Sequence, residues 1–356
     1  MELQTAKRKF LRKCKTWGVY DRVAASSWRQ KRLLILCYHS FSLEDEHLWR
    51  PVTFEPLSFL QERLQSLSES GASVLPLTEA VERLYAGALP PVSVCLTFDD
   101  GTYDFYKTVL PLLKKYGYPA TLYMSTYYCE ARRPVFPLMC SYLLWKARNR
   151  VLTADRSLGI ERDIDLRDPG NREWAHRQIL SATDSRTEAE FAQRLAARLE
   201  IDYRALLDKR ILQLMTPEEA AEAARAGIDV QLHTHRHRTP EDHDLFIREI
   251  RDNRFRVERI TGIPAVHFCY PSGVWRREFL PWLNEERVAT ATTCEPGLAS
   301  IHSEKLLLPR LLDMSTLTSI EFEGWLAGVG SWLPRRASRR SENGAASRAQ
   351  SSHRTP

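Results

Sequence analysis

The chain has no hydrophobic stretch long enough to cross a bilayer. Its longest apolar cluster, around Val135 to Trp145, is short and is interrupted by Pro137. The N-terminus lacks the continuous apolar segment of a signal peptide, because Lys7, Arg8, Lys9, Arg12, Lys13 and Lys15 break it up. The seven cysteines (14, 37, 95, 129, 140, 269 and 294) are odd in number and form no Cys-x-x-Cys. This speaks against a disulfide framework and against a zinc ribbon. No Gly-rich phosphate loop and no internal repeat is found. These absences lead us to expect a protein of a reducing, cytoplasmic compartment. Cys37 and Cys95, inside apolar runs, are expected to serve as small core residues.

What is present suits a folded enzyme-sized body. A length of 356 residues with 43% hydrophobic content allows one large α/β domain or two smaller ones. The net charge of +6 is unevenly spread. Residues 1–32 carry ten Lys/Arg against Glu2 and Asp21, and residues 335–356 carry six Arg against Glu342. The two ends thus exceed the whole net charge, and the stretch between them is acidic. An acidic body with basic ends is not the pattern of a nucleic-acid-binding domain. The ends fit peripheral contact with anionic lipid headgroups, or act simply as solvated termini. Phe10, Cys14 and Trp17 stand at helical spacing, as in an interfacial helix or a helix packed on the domain. We divide the chain into a basic segment (1–32), a main domain (33–334) and a basic tail (335–356) too poor in apolar residues to fold.

The main domain alternates strand and helix patterns. Residues 33–38 form a continuous apolar run of buried-strand length. From 92 to 98 the residues alternate, with Val92, Val94, Leu96 and Phe98 on one face and Ser93, Cys95 and Thr97 on the other. A helix is predicted for about 103–116 and a strand for 120–124. Residues 130–215 break the rhythm and are expected to be an inserted helical subdomain. Thr216-Pro217-Glu218-Glu219 then reads as a capping box that restarts the α/β pattern. Further strands are predicted at 228–232, at 266–270, and near Val288 and Leu306. Seven or eight such units with short joints fit a closed or nearly closed barrel of parallel strands.

Two clusters carry chemistry. Thr97-Phe98-Asp99-Asp100-Gly101 ends a predicted strand, and adjacent carboxylates there need a positive partner. By itself this run favours an ordinary tight turn. His233-Thr234-His235-Arg236-His237 ends another strand. Two imidazoles four residues apart converge on one ion if the chain turns helically after the strand. His235 projects differently and is read as a neighbour. Alone, this run is equally a surface loop. One Asp with His233 and His237 makes a carboxylate–imidazole set suited to zinc.

This motif pair resembles that of the NodB-like polysaccharide deacetylases, over residues 33–128 and 216–312, from Leu36-Cys37-Tyr38-His39 to Leu308-Pro309-Arg310. The resemblance implies an irregular (β/α)7 barrel and metal-dependent removal of an acetyl group from an N- or O-acetylated saccharide or glycolipid. It implies Asp99 as general base, with Asp100, His233 and His237 holding the metal. It also implies that the Ser272 N–H, in Phe268-Cys269-Tyr270-Pro271-Ser272-Gly273, stabilises the oxyanion. The sequence departs from the family twice. Cys269 stands where the family often has an Arg that orients the catalytic Asp. The family's Leu-x-His, whose His protonates the departing amine, is missing near Leu306–Arg310. His39, ending the first strand, is the expected substitute acid, and Arg310 is expected to bind substrate. The departures leave a noncatalytic metal- and sugar-binding relative as the alternative. A membrane-surface scaffold acting through the basic ends is a third reading.

Overall fold

Residues 2–184 and 186–333 are described by a computed structural model. The basic tail expected at 335–356 lies outside the described residues. Seven parallel strands curl into the wall of an irregular (β/α)7 barrel, with an eighth, β2, beside them. They are β1 (Leu34–Tyr38), β2 (Ser73–Val74), β3 (Ser93–Phe98), β4 (Ala120–Met124), β5 (Ile228–Leu232), β6 (His267–Cys269), β7 (Thr290–Thr292) and β8 (Leu311–Leu312). Their order is β7-β6-β5-β4-β3-β1-β8. The irregularity is local. β2 pairs with the start of β3 (Ser73 with Ser93), and β4 takes over toward its end (Thr97 with Thr121).

The alternation at 92–98 marks two buried faces. Val94, Leu96 and Phe98 belong to the main core together with the surrounding helices. Cys95 packs instead with Ile35, Tyr123, Cys269 and Leu308, residues of the barrel interior. Thr97 and Thr292 add buried hydroxyls on that inner side. A polar lumen is expensive unless its groups pair with one another. That requirement shapes the site described below.

The barrel closes through the segment Leu308–Leu312. Leu308 donates its N–H to Ala291 and accepts from Thr293 (both 2.9 Å), and Leu311 pairs with Leu36 of β1. The strand expected near Leu306 is therefore displaced. Lys305–Leu307 is a 3-10 turn, and the strand starts at Leu311, beyond Pro309, which has no N–H to give a ladder.

The outer helices include α1 (Glu2–Thr16), α2 (Leu57–Ser70), α3 (Leu77–Ala86), α4 (Leu110–Tyr116), α5 (Pro217–Arg225), α6 (His243–Thr261), α7 (Phe279–Glu285) and α8 (Ser319–Ala327). The helix expected over 103–116 begins with a π turn, Phe105–Val109, before α4. α5 opens with the capping box of Thr216 and Glu219. α1 buries Leu11 and Cys14, which cluster with Ala327 of α8 and Val329, while Lys7 and Arg8 reach Glu321. Phe10 and Trp17, by contrast, stay exposed. No helix among the described residues is long and apolar enough to cross a membrane.

Between β4 and β5 lies a second core built from helices Phe136–Lys146, Pro169–Ala182, Glu188–Arg198 and Tyr203–Asp208. It also takes in Phe54, with Trp49 packed against it, from the segment after β1. The helix Pro169–Ala182 falls partly in a stretch that reads as polar in sequence, because only Ala175 and Ile179 of it are buried. The chain returns from this lobe beside the end of β3, where Met215 donates to the Gly101 carbonyl at 3.0 Å.

Candidate active site

The two adjacent carboxylates face different partners. Asp99 continues the inward-facing row of β3 and is buried at 2% exposure. Asp100 then adopts a left-handed backbone (φ 75°) and Gly101 another (φ 79°). A Cβ on residue 101 would stand 2.7 Å from the Met124 Cγ, so only glycine fits against β4. The turn swings the Asp100 carboxylate toward β5.

There His233 and His237 meet it. The Asp100 Oδ1 is 3.2 Å from the His233 Nε2 and 3.1 Å from the His237 Nε2. The chain does not turn helically after β5 to achieve this. Instead Thr234 (φ 59°) and His237 (φ 54°) take left-handed conformations in an irregular loop. Buried groups of α6 hold that loop. Glu249, 1% exposed, accepts from the Arg236 N–H (2.7 Å), and its side chain pairs with the Arg236 and Arg238 guanidinium groups. Asn253 accepts from the His233 N–H at 2.9 Å and donates to the Met124 carbonyl. Non-glycine left-handed residues cost on the order of 1–3 kcal/mol each and persist where surrounding contacts over-determine them.

These three side chains suit a divalent ion. The buried Asp100 Oδ1 has no hydrogen-bond partner, although two imidazole nitrogens face it. The His233 Nδ1 lies 2.9 Å from the Cys269 carbonyl, which fixes the ring and leaves Nε2 turned toward Asp100. One atom from each of Asp100, His233 and His237 lies within 4.8 Å of the others. An orphaned carboxylate oxygen between two oriented imidazoles matches a zinc-type donor set. His235 points elsewhere, with Nδ1 2.9 Å from the Thr126 hydroxyl. Burial, with Arg256 and Arg236 nearby, pushes its pKa down to about 4, so its ring is neutral.

Asp99 has its own counter-ion. Arg310, fully buried, donates to both oxygens of Asp99 at 2.7 Å. Its remaining donors reach Thr97 Oγ1 (3.1 Å), the Thr293 carbonyl (3.1 Å) and Cys269 Sγ (3.0 Å). Burial alone would raise the Asp99 pKa, but the Arg310 guanidinium holds it well below the usual carboxylate range. Substrate cannot reach Arg310, contrary to the role expected of it. The guanidinium that Cys269 cannot supply comes from the barrel's closing segment, and the smaller Cys269 leaves room for it. Cys37 and Cys269 also turn their thiols to Asp99 Oδ2, at 3.6 and 3.5 Å.

His39 lies at the same mouth, 24% exposed, with Nε2 3.8 Å from Asp99 Oδ2. Ser272 is exposed in a 3-10 turn with φ 57°, where Gly273 and Val274 supply the N–H groups that close the turn. Glu249 and Asn253 are site residues that the sequence reading did not place, and Arg310 is one that it placed against substrate instead of against Asp99. Arg310 carried a usable signal: a lumen holding Asp99 needs a buried cation, and Arg310 directly precedes a strand. Glu249 and Asn253 gave none, because polar residues within a helix look solvent-facing.

Comparison with known proteins gives a consistent result. Residues 86–289 match the sequence profile of the family described as polysaccharide deacetylase. No curated protein matches the chain in sequence. Among solved structures, the Streptococcus pyogenes deacetylase PplD, in complex with acetate, is similar over 81% of this chain and 94% of its own. Its TM-score is 0.54 at 18% identity. IcaB from Ammonifex degensii is similar over 83% and 97%, with a TM-score of 0.51 at 16% identity. A polysaccharide deacetylase from Bacillus cereus is similar over 83% and 69%, again with a TM-score of 0.51 at 16% identity. At these identities the likeness is one of fold.

The Arg310–Asp99 pair makes a signed prediction. Removing one partner of a buried pair costs about 3–5 kcal/mol, so Arg310→Met is expected to destabilise by that order. In the wild type the depressed Asp99 pKa stabilises the fold above the unfolded carboxylate pKa, and that contribution is lost as pH falls toward the folded value. In Arg310→Met the unpaired buried carboxyl titrates high instead, so its contribution declines as pH rises from 5 to 8. Urea unfolding from pH 5 to 8 checks both the loss and the downward slope that the wild-type Asp99, already fully ionised there, does not contribute; parallel curves for the two proteins would refute the account.

Proposed function

This chain belongs to the polysaccharide deacetylase family, hydrolases acting on linear amide bonds. We propose that it removes an acetyl group from an N-acetylated (or O-acetylated) sugar of a polysaccharide or glycolipid intermediate. The observation that carries this reading is the meeting, at one barrel mouth, of a donor set with a separate ionised carboxylate. Asp100, His233 and His237 provide the first; Asp99, paired with Arg310, provides the second. That pairing favours hydrolysis over noncatalytic binding, since it keeps a base ionised that binding alone does not require.

Asp100, His233 and His237 would hold a divalent ion, zinc being favoured by two imidazoles, which would supply Lewis-acid polarisation of the acetyl carbonyl and make a nearby water more acidic. Asp99 accepts the proton of the attacking water. Arg310 acts through Asp99 as a positioning residue, keeping it ionised and aimed. The Ser272 N–H is assigned to the oxyanion of the tetrahedral intermediate. His39 is assigned the proton that the departing amine requires, an imidazole being suited to that transfer. Acetate and the free amino sugar leave.

We expect purified protein to bind about one divalent ion per chain, and His233→Ala and His237→Ala each to lose it. Asp99→Asn should keep the ion but lose roughly 10²- to 10⁴-fold in acetate release, the usual range for a general base. Elemental analysis and an acetate assay over a panel of acetylated saccharides read both, and near-wild-type turnover in Asp99→Asn would exclude it as the base.

The acid is tested by comparing leaving groups. An amine needs protonation more than an alcohol does. His39→Gln is therefore expected to slow amide substrates well beyond ester substrates, with ion content unchanged. Equal slowing of both would assign His39 a packing role.

The same proposal includes peripheral contact with anionic lipid headgroups through α1. Phe10 (48% exposed) on α1 and Trp17 (66% exposed), just past its end, stand with the exposed Lys9 and Lys13, an interfacial mixture of aromatics and cations. Co-sedimentation with phosphatidylserine vesicles is expected, weakened by Phe10→Ala with Trp17→Ala. Unchanged sedimentation of that variant would remove α1 from the contact. Vesicle binding without any acetate release would instead favour the scaffold reading.

A further inference from the structure

Cys37 has no task in the proposed mechanism, yet β1 carries it to the edge of the reacting groups. Leu34, Leu36 and Tyr38 of that strand belong to the main core, while Ile35 lies in the barrel interior. The same alternation puts Cys37 and the following His39 on the inner row with Ile35. On the neighbouring strand β3 the inner row runs through Cys95 and Thr97 to Asp99. The parallel register sets Cys37 beside Thr97 and Tyr38 beside Phe98, so His39 comes level with Asp99. The Asp99 N–H donates to the Tyr38 carbonyl at 3.0 Å and continues that register. Three unlike donors therefore converge, with Cys37 Sγ 3.6 Å and His39 Nε2 3.8 Å from one oxygen, Asp99 Oδ2. One donor atom of each of the three lies within 4.8 Å of the others.

We propose that Cys37, His39 and Asp99 form a second metal site, which takes a thiophilic divalent ion such as zinc and blocks turnover when filled. Around a tetrahedral zinc, with bonds of about 2.3 Å to sulfur and about 2.0 Å to nitrogen or oxygen, donors stand roughly 3.3–3.6 Å apart. The separations of 3.6 and 3.8 Å from Asp99 Oδ2 approach that spacing, and His39, 24% exposed, gives the ion a way in. The site differs in kind from Asp100, His233 and His237, which offer no sulfur. Thiolate ligation favours zinc or cadmium over oxygen-seeking ions such as magnesium. Binding replaces the Cys37 S–H bond with a sulfur–metal bond, and the proton leaves to solvent. Arg310 stays on Asp99 at 2.7 Å, so the carboxylate offers the ion only its remaining lone pairs. The guanidinium charge weakens the attraction, and this ion binds at higher concentration than the one at Asp100. Cys269 is the poorer sulfur, because the Arg310 Nη2 already donates to it at 3.0 Å. Its grouping with Asp99 would also draw His233 away from Asp100.

An ion held there occupies the carboxylate assigned to accept the water proton and the imidazole assigned to give one. Saturation is therefore expected to lower acetate release on the order of 10²-fold, the low end of a general base's contribution. That consequence rests on the proposed deacetylation, whereas the metal site does not.

The test uses full-length protein stripped with a chelator and titrated with cobalt(II), whose thiolate complexes absorb in the near ultraviolet. The first equivalent should bind without that band, and the second should produce it. Cys37→Ala and His39→Gln should each keep the first ion, which also reports an intact fold, and lose both the second ion and the band. Cys269→Ala should keep the band. From pH 7 to 8 the affinity for the second ion should rise about tenfold, as one released proton requires. No thiolate band in the wild type, a band that survives in Cys37→Ala, or one that vanishes in Cys269→Ala would overturn the site. With zinc in place of cobalt, acetate release should fall as the second equivalent binds, and Cys37→Ala should escape that fall. A filled site with undiminished acetate release would overturn the inhibition. If no acetylated saccharide is hydrolysed at one equivalent of zinc, the deacetylation reading fails, while the cobalt spectra still decide the site.

Discussion

Arg310 has no exposed surface, and its charge is met by one carboxylate, Asp99, 2.7 Å away on both sides of the fork. Burying a guanidinium is tolerable only when every donor is used and the counter-charge is close. Thr97, Thr293 and the lumen thiols complete that shell. Because Arg310 sits on the segment that joins β7 to β1, the pair also marks the place where the barrel closes. Closure and the ionisation of Asp99 are therefore one constraint. A slip in the seam would leave two charges stranded in a lumen that water does not freely enter.

From that fixed point the site is built by backbone strain. Asp99 and Asp100 are neighbours in sequence, yet one is bound to a guanidinium and the other faces two imidazoles. The separation comes from left-handed conformations at Asp100 and Gly101, matched across the mouth by Thr234 and His237. Glu249 and Asn253, buried on α6, supply contacts that keep the strained His loop in place.

The alternation of strand and helix, the apolar runs of β1 and β3, and the capping box at Thr216 are local features and were legible in the sequence. So were the clusters at 97–101 and 233–237, since residue type and spacing carry their meaning there. Less legible were features set by distant contacts. The alternation of 92–98 showed two faces, but nothing local told whether the second met water or a barrel lumen. Of Phe10, Cys14 and Trp17, which share a helical spacing, only Cys14 is covered, with Leu11 beside it, because the facing surface of α8 decides which residues are buried.

The sequence by itself determined that strands end in an Asp-Asp-Gly turn and a His-rich turn, since strand propensity and chain stiffness act over a few residues. Only the tertiary structure decided that Arg310, more than two hundred residues from Asp99, neutralises it in place of the residue at 269. The reason is physical. Barrel closure sets which strands become neighbours, and a buried charge then takes whichever opposite charge that closure brings within reach.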